Sequence, residues 1–210
     1  MAIISAGHTT CALSDKVLQA GDWIVCFPHF IEKDDPLWIY SDSCMLRDAF
    51  DAWKYHDEFL ARLADFWRIT LANNPYWQAV VDNKDYLIHF GTVVTSIVIR
   101  FLKHGFIIAF RAGEWPDVRH AFLSTQQGEA RCETRDGTVR LRKMPEESGV
   151  LVLGGAGLVY APAEVQIEIA PRSPGRLIPC DRILISSEEW LSLTESLREV
   201  DRFLANQASF

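Results

Sequence analysis

Four residues with metal-binding side chains lie early in the chain: Cys11, Cys26, His29 and Cys44. Thiolate and imidazole are ligands that zinc prefers, and Cys26-Phe27-Pro28-His29 has a C-x-x-H spacing that a bent strand end can close on one ion. His56 is a further imidazole in reach of that set. The competing reading makes these thiols small buried fillers, as cysteines outside disulfides commonly are, and leaves His29 partly exposed. Farther along, His89, His104 and His120 have Asp85, Glu114 and Asp117 in sequence reach, the residue types of acid–base or metal chemistry. None has the spacing of two ligands on one helix face, so satisfied strand and turn histidines are the plainer account. The run Gly154-Gly155-Ala156-Gly157 would cradle a phosphate only ahead of a helix N-terminus. Leu158-Val159-Tyr160 and Pro162 follow instead, which predicts a tight hairpin. No G-x-S-x-G elbow, Walker loop, H-E-x-x-H pair or dinucleotide fingerprint occurs.

The elements that must position these residues follow from hydrophobic periodicity. Asp22-Trp23-Ile24-Val25-Cys26-Phe27 is strand-like and Pro28 ends it, so Leu37-Trp38-Ile39-Tyr40, beyond a polar turn, reads as its hairpin partner. Leu46, Ala49, Phe50 and Trp53 then repeat at helical spacing, predicting a helix that begins near Cys44. Asp57 opens a second helix carried by Phe59, Leu60, Leu63, Phe66, Trp67 and Thr70, and Asn73-Asn74-Pro75 stops it. Residues 86–90, 92–102 and 106–110 are β-branched and aromatic, with a Lys103-His104-Gly105 turn before the last. Glu114-Trp115-Pro116-Asp117 opens a short helix to Leu123. Hairpin signals follow at Arg135-Asp136-Gly137-Thr138 and at the glycine run, then strands at 165–169 and 182–185 on either side of the Pro171-Arg172-Ser173-Pro174-Gly175 loop. Ser186 and Glu189 have the spacing of a capping box, and Trp190, Leu193, Leu197, Val200 and Leu204 mark the apolar face of a terminal helix.

The resulting fold class is α+β. A small knuckle, hairpin and helix module occupies residues 1–74, and a mostly antiparallel sheet with a C-terminal helix occupies 75–210. A hydrophobic share of 49% over 210 residues is enough for a buried core. No stretch approaches the roughly 18 uninterrupted apolar residues of a membrane span, since Arg100, Lys103 and His104 break the greasiest one. The start lacks a basic, then apolar, leader, so a cytoplasmic protein is expected. Five scattered cysteines are an odd number, against a disulfide framework.

The order of a short turn at Cys11-Ala12-Leu13-Ser14, a hairpin over 23–40 and a helix near Cys44 resembles a treble-clef zinc module. Gly21-Asp22-Trp23, Phe27-Pro28, Asp35-Pro36-Leu37, Tyr40-Ser41-Asp42 and Phe50 are similar to the zinc-knuckle modules at the N-termini of certain bacterial proteins. The resemblance covers about a quarter of the chain and implies ligand positions at Cys11, Ser14, Leu46 and Ala49. Ser14 is a poor zinc ligand and Leu46 and Ala49 have no donor, so it implies a metal-free copy and no cofactor. Structural zinc contributes folding free energy on the order of 10 kcal/mol. Apolar packing around Leu46 and Ala49, at about 25 cal/mol per Å², is the replacement this implies.

Charge is the remaining signal. The net charge is −7, from 21 Lys and Arg against 28 Asp and Glu, which argues against nucleic acid as a partner. Most of the excess lies in residues 1–74, interleaved with aromatics. Trp23, Asp34, Asp35, Trp38, Tyr40 and Asp42 are therefore the expected contact residues of a non-enzymatic interaction module, of the immunity or antitoxin kind, for a basic protein. A solvated face that keeps the protein soluble is the plainer explanation of the same charges. The alternative function is a metal-binding protein or enzyme with a site assembled from dispersed Cys and His residues. A third is a subunit that dimerises through a sheet edge.

Overall fold

The computed structural model describes residues 7–19, 21–124, 129–133, 137–143, 150–154, 157–161, 164–171 and 181–207. The fold is α+β, and every strand pairing among the described residues is antiparallel.

The N-terminal turn folds back through a Thr10–Val17 bridge, with the Cys11 amide donating to the Lys16 carbonyl at 2.8 Å. Strand β1 (Ile24–Cys26) follows, and its partner is β2 (Cys44–Leu46), with Cys26 opposite Cys44. The segment expected to pair with β1, Trp38–Tyr40, is instead a single 3-10 turn. Local side chains redirect its backbone. Asp35 Oδ1 accepts from the Leu37 amide at 2.8 Å, and Ser41 Oγ accepts from the amides of Phe30 and Ile31 at 2.7 and 3.2 Å. Such side-chain bonds offer the main chain an alternative to a ladder. Asp42, at φ +56°, then turns the chain into β2. Helix α1 (Arg47–Asp51) therefore starts three residues later than Cys44, and α2 (His56–Ala72) follows. Phe27, Phe50 and Phe59 form the centre of this core, Phe27 lying 5.0 and 4.9 Å from the other two rings.

Helix α2 belongs to two cores. Phe59, Leu60 and Leu63 face the N-terminal module, while Ala64 and Leu71 pack with Leu87 and Leu102 of the central sheet region. That sheet is a meander of β3 (Trp77–Asp82), β4 (Tyr86–Gly91), β5 (Ser96–Phe101) and β6 (Phe106–Arg111). Strand β3 falls where composition suggested a boundary; a bulge between Ala79 and Val81 breaks its two-residue alternation. Residues 92–95 are a turn rather than the start of β5, with Thr95 at φ +46° and Val93 and Val94 exposed.

Helix α3 (Trp115–Ser124) leads to a second sheet of β7 (Glu129–Glu133), β8 (Gly137–Lys143), β11 (Glu164–Pro171) and β12 (Asp181–Ser186), in the order β12-β11-β8-β7. Strands β9 (Val150–Gly154) and β10 (Gly157–Ala161) form a hairpin, with Gly154 opposite Gly157. Residues 134–136, 155–156 and 172–180, which hold parts of the expected turns and the long loop, lie outside the described residues. Helix α4 (Ser187–Gln207) closes the chain. Its Trp190, Leu193, Leu197 and Val200 join Ile88, Ile99, Phe101 and Phe106 of the central sheet and Leu141, Ile167 and Ile185 of the second in one core. Among the described residues no helix is long and apolar enough to cross a membrane.

Candidate functional site

The turn between β5 and β6 brings chemistry-bearing side chains to one place. It carries Lys103, His104 and Gly105, and its glycine is at φ +61°. A Cβ there would lie 3.1 Å from both Leu60 Cδ2 and Phe27 Cε1, so a side chain would press on the N-terminal core as well as strain the backbone. Arg47, buried at the start of α1, donates through Nη1 to the His104 carbonyl at 2.8 Å and through Nε to Asp51 at 3.1 Å. It ties α1 to the turn.

Between these elements and β12 opens a cleft of about 490 Å³. Trp23, Asp48, Asp51, His56, Lys103 and His104 line it on one side, with Gln166, Ile183 and Leu184 on the other. His104 Nε2 lies 2.9 Å from Glu189 Oε1. The other carboxylate oxygen accepts from the Ser186 amide at 3.0 Å and hydroxyl at 3.1 Å, while Ser186 Oγ caps the Glu189 amide at 3.4 Å. The expected capping box is thus present and one of its members also holds an imidazole. Burial pushes the Glu189 pKa up, but the bonds from His104 and Ser186 outweigh it and hold the group at about 2. An imidazole held against a buried carboxylate in a cleft wall is the pairing that orients a general acid or base. The Tyr86 hydroxyl donates to the Glu189 carbonyl at 2.7 Å, and burial drives its pKa far above the ordinary tyrosine value. His56 also lines the cleft, its Nδ1 2.8 Å from Asp57 and its Nε2 3.9 Å from Asp51.

A second cleft of about 560 Å³ adjoins Lys103 and is lined by Asp57, Asp65, Arg68 and Lys84. Its cations are all paired: Lys103 with Asp85, Arg68 with Asp82 and Asp65, Lys84 with Glu188.

The residues singled out from sequence are dispersed. Trp23 lines the first cleft and also a neighbouring one of about 350 Å³ that it shares with Ser14, Lys16, Asp22, Leu46, Asp48 and Ala49. Asp34 and Asp42 are exposed. Asp35 faces inward to an ion pair with Arg62 and to the Leu37 amide, and these bonds lower its pKa. Trp38 and Tyr40 are half-buried against the module core, Tyr40 on Trp53 at 4.6 Å. Of the possible ligand set, Cys26 and Cys44 are cross-strand neighbours, and the Cys26 bond lowers the Cys44 pKa. Cys11 lies beside β2, its sulfur accepting from the Leu46 amide at 3.3 Å while the Ala12 amide donates to the Cys44 carbonyl at 3.0 Å. Burial raises its pKa, and bonds from Ser14, Leu46 and Leu13 lower it further than that. His29 is exposed. Among the described residues no three or more His, Cys, Asp or Glu side chains are grouped to hold a metal ion.

Sequence reading treated Glu189 as a helix cap and did not single out Arg47. The capping box was the available signal for Glu189, and nothing in it points to His104, which is 85 positions away. Compared with protein-family models, with curated proteins and with solved structures, the chain gives no match.

Proposed function

We propose that the chain is a non-enzymatic interaction module that binds a basic segment of a partner protein, in the manner of an immunity or antitoxin protein. The observation that carries this reading is the position of Trp23: it borders two adjoining clefts together with Asp48, with Asp51 and Lys103 in one and Asp22 and Lys16 in the other. An aromatic face beside carboxylates is the surrounding that a lysine or arginine side chain seeks. Arg47 itself borders the first cleft and already holds Asp51, so Asp48 is the carboxylate that carries the reading. Arg47 is bonded to Asp51, Arg62 to Asp35 and Glu58, and Arg68 to Asp82 and Asp65. Residues 1–74 hold eleven acidic and six basic residues, so the excess negative charge meets the solvent. The degenerate treble-clef reading belongs to the same proposal. Ser14, Leu46 and Ala49 border one cleft and Cys11 is bonded to the Leu46 amide, so the implied ligand positions adjoin each other with aliphatic groups at two of them.

Calorimetric titration with a hexa-arginine peptide tests this. Wild type binds, more weakly as salt rises, and Asp48→Lys binds at least tenfold more weakly. Equal binding by the two proteins at low salt contradicts the proposal.

The His104–Glu189 pair supports a second reading, acid–base chemistry on a small molecule in the same cleft. The imidazole-dependent hydrolysis of 4-nitrophenyl acetate tests it: the rate falls severalfold in His104→Gln if the site works as a base. An unchanged rate removes this reading and leaves the first standing.

A further inference from the structure

Strands β1 and β2 set two cysteines opposite each other. Cys26 is the last residue of one strand and Cys44 the first of the other, and they are partners in the register. The ladder bonds fix which kind of pair this is. The Phe27 amide donates to the Ser43 carbonyl at 2.9 Å, and the Arg47 amide to the Trp23 carbonyl at 2.8 Å. Antiparallel strands alternate between hydrogen-bonded and non-hydrogen-bonded pairs, so with 27/43 and 23/47 bonded, Cys26 and Cys44 occupy a non-hydrogen-bonded position. There the Cα atoms approach to about 4.5 Å, against about 5.5 Å at bonded positions, and both side chains leave on one face of the ladder. A disulfide spans Cα separations of roughly 4.4–6.8 Å, so neither strand has to move for one to form.

The two groups, both thiols, are already in contact. The Cys26 thiol donates to the Cys44 sulfur, and this bond lowers the Cys44 pKa further than burial and the Asp42 charge raise it. The pair therefore yields a thiolate more readily than an isolated buried cysteine does. Access differs between them: Cys44 is 2% exposed, whereas Cys26 is half-buried and meets solvent at the end of its strand. The module's other cysteine, Cys11, is closed to solvent, and its sulfur accepts from the Leu46 amide. Small buried fillers need neither a partner in register nor one member within reach of a reagent.

We propose that Cys26 and Cys44 are a redox-active dithiol, which a small disulfide such as oxidised glutathione closes into a cross-strand bond and a small thiol reopens. The accessible Cys26 thiolate attacks one sulfur of the reagent, whose S–S bond breaks, and the first thiolate leaves and takes up the proton that Cys26 gave up. Cys44, as thiolate, then attacks the Cys26 sulfur of the mixed disulfide and expels the second thiolate, which takes up the Cys44 proton. Two cysteine sulfurs are oxidised and the reagent is reduced to two thiols. The bond joins the ends of the stretch that holds Asp34, Asp35, Trp38, Tyr40 and Asp42, and it reinforces a ladder of three pairs. The inference does not depend on the Trp23 clefts.

A peptide map of the full chain tests it. The protein is equilibrated with reduced and oxidised glutathione in varied ratio, remaining thiols are capped with N-ethylmaleimide, and the tryptic peptides are weighed. Trypsin cuts after Lys16, Lys33 and Arg47, so Cys26 falls in peptide 17–33, Cys44 in 34–47 and Cys11 in a third. A link between 17–33 and 34–47 is expected to grow with the share of oxidised glutathione and to vanish when the reduced form is restored in excess. Cys44→Ser stops at a single glutathione on Cys26. The closed protein melts no lower than the reduced one, since a cross-link that fits the native geometry restricts chiefly the unfolded chain. No such link at any ratio, a link from either peptide to another cysteine in its place, or a fall in melting temperature on closure overturns the proposal.

Discussion

Glu189 shows how one side chain serves two elements. It closes the N-terminus of α4 through Ser186 and fixes His104 in the wall of the larger Trp23 cleft. Its folded pKa is depressed from an ordinary 4.5 to about 2, so the carboxylate stabilises the fold at every pH above 4.5 and loses that contribution as pH falls toward 2. The side chain is about one-tenth exposed, so little of this is screened. At 1.36 kcal/mol per pKa unit the effect is on the order of 3 kcal/mol. Glu189→Gln is therefore about 3 kcal/mol less stable than wild type at pH 6, and the gap closes through the window from 4.5 to 2. Urea unfolding at several pH values checks this. A gap that stays constant down to pH 2 contradicts the assigned role.

At the scale of elements, the β5–β6 turn sets the site, and Gly105 sets the turn. Gly105→Ala must place a Cβ at positive φ and 3.1 Å from two core side chains, which costs about 1–3 kcal/mol. Gly113→Ala, with nothing within 4 Å of the added carbon, changes stability by less than 1 kcal/mol. A shift of the urea midpoint confined to Gly105→Ala is expected, and equal shifts in both variants contradict it. The same elements show what is legible in a chain. Strong periodicity marked α2, α4, β4 and β6, and the Ser186–Glu189 spacing marked a real cap. Trp38–Tyr40 has strand-forming residues but bonds from Asp35 and Ser41 hold the backbone there in a turn, and propensity carries no record of such partners. Strand β3 was hidden by its bulge. Within the candidate site, Trp23 was legible as an aromatic in an acidic stretch. Asp35, Trp38 and Tyr40 have the same local character and are turned inward, because Arg62 and the module's own rings take them up.

Across the whole molecule, helix α2 joins a small acidic module to a larger, nearly charge-balanced body. Arginines in the module are paired with carboxylates, and among its exposed charges Asp34, Asp42 and Asp48 stand beside the lysines Lys16, Lys33 and Lys54, within an overall acidic excess. Complementary charge of this kind acts first on association rate, and buried aromatic contact then sets residence time. The two effects are separable, since salt weakens the first and removal of the indole weakens the second. The most direct measurement is the indole N–H resonance of Trp23 during titration with a hexa-arginine peptide. The account predicts a saturable shift of that resonance in wild type, absent in Asp48→Lys. A Trp23 signal unmoved while the peptide binds elsewhere on the protein would contradict it.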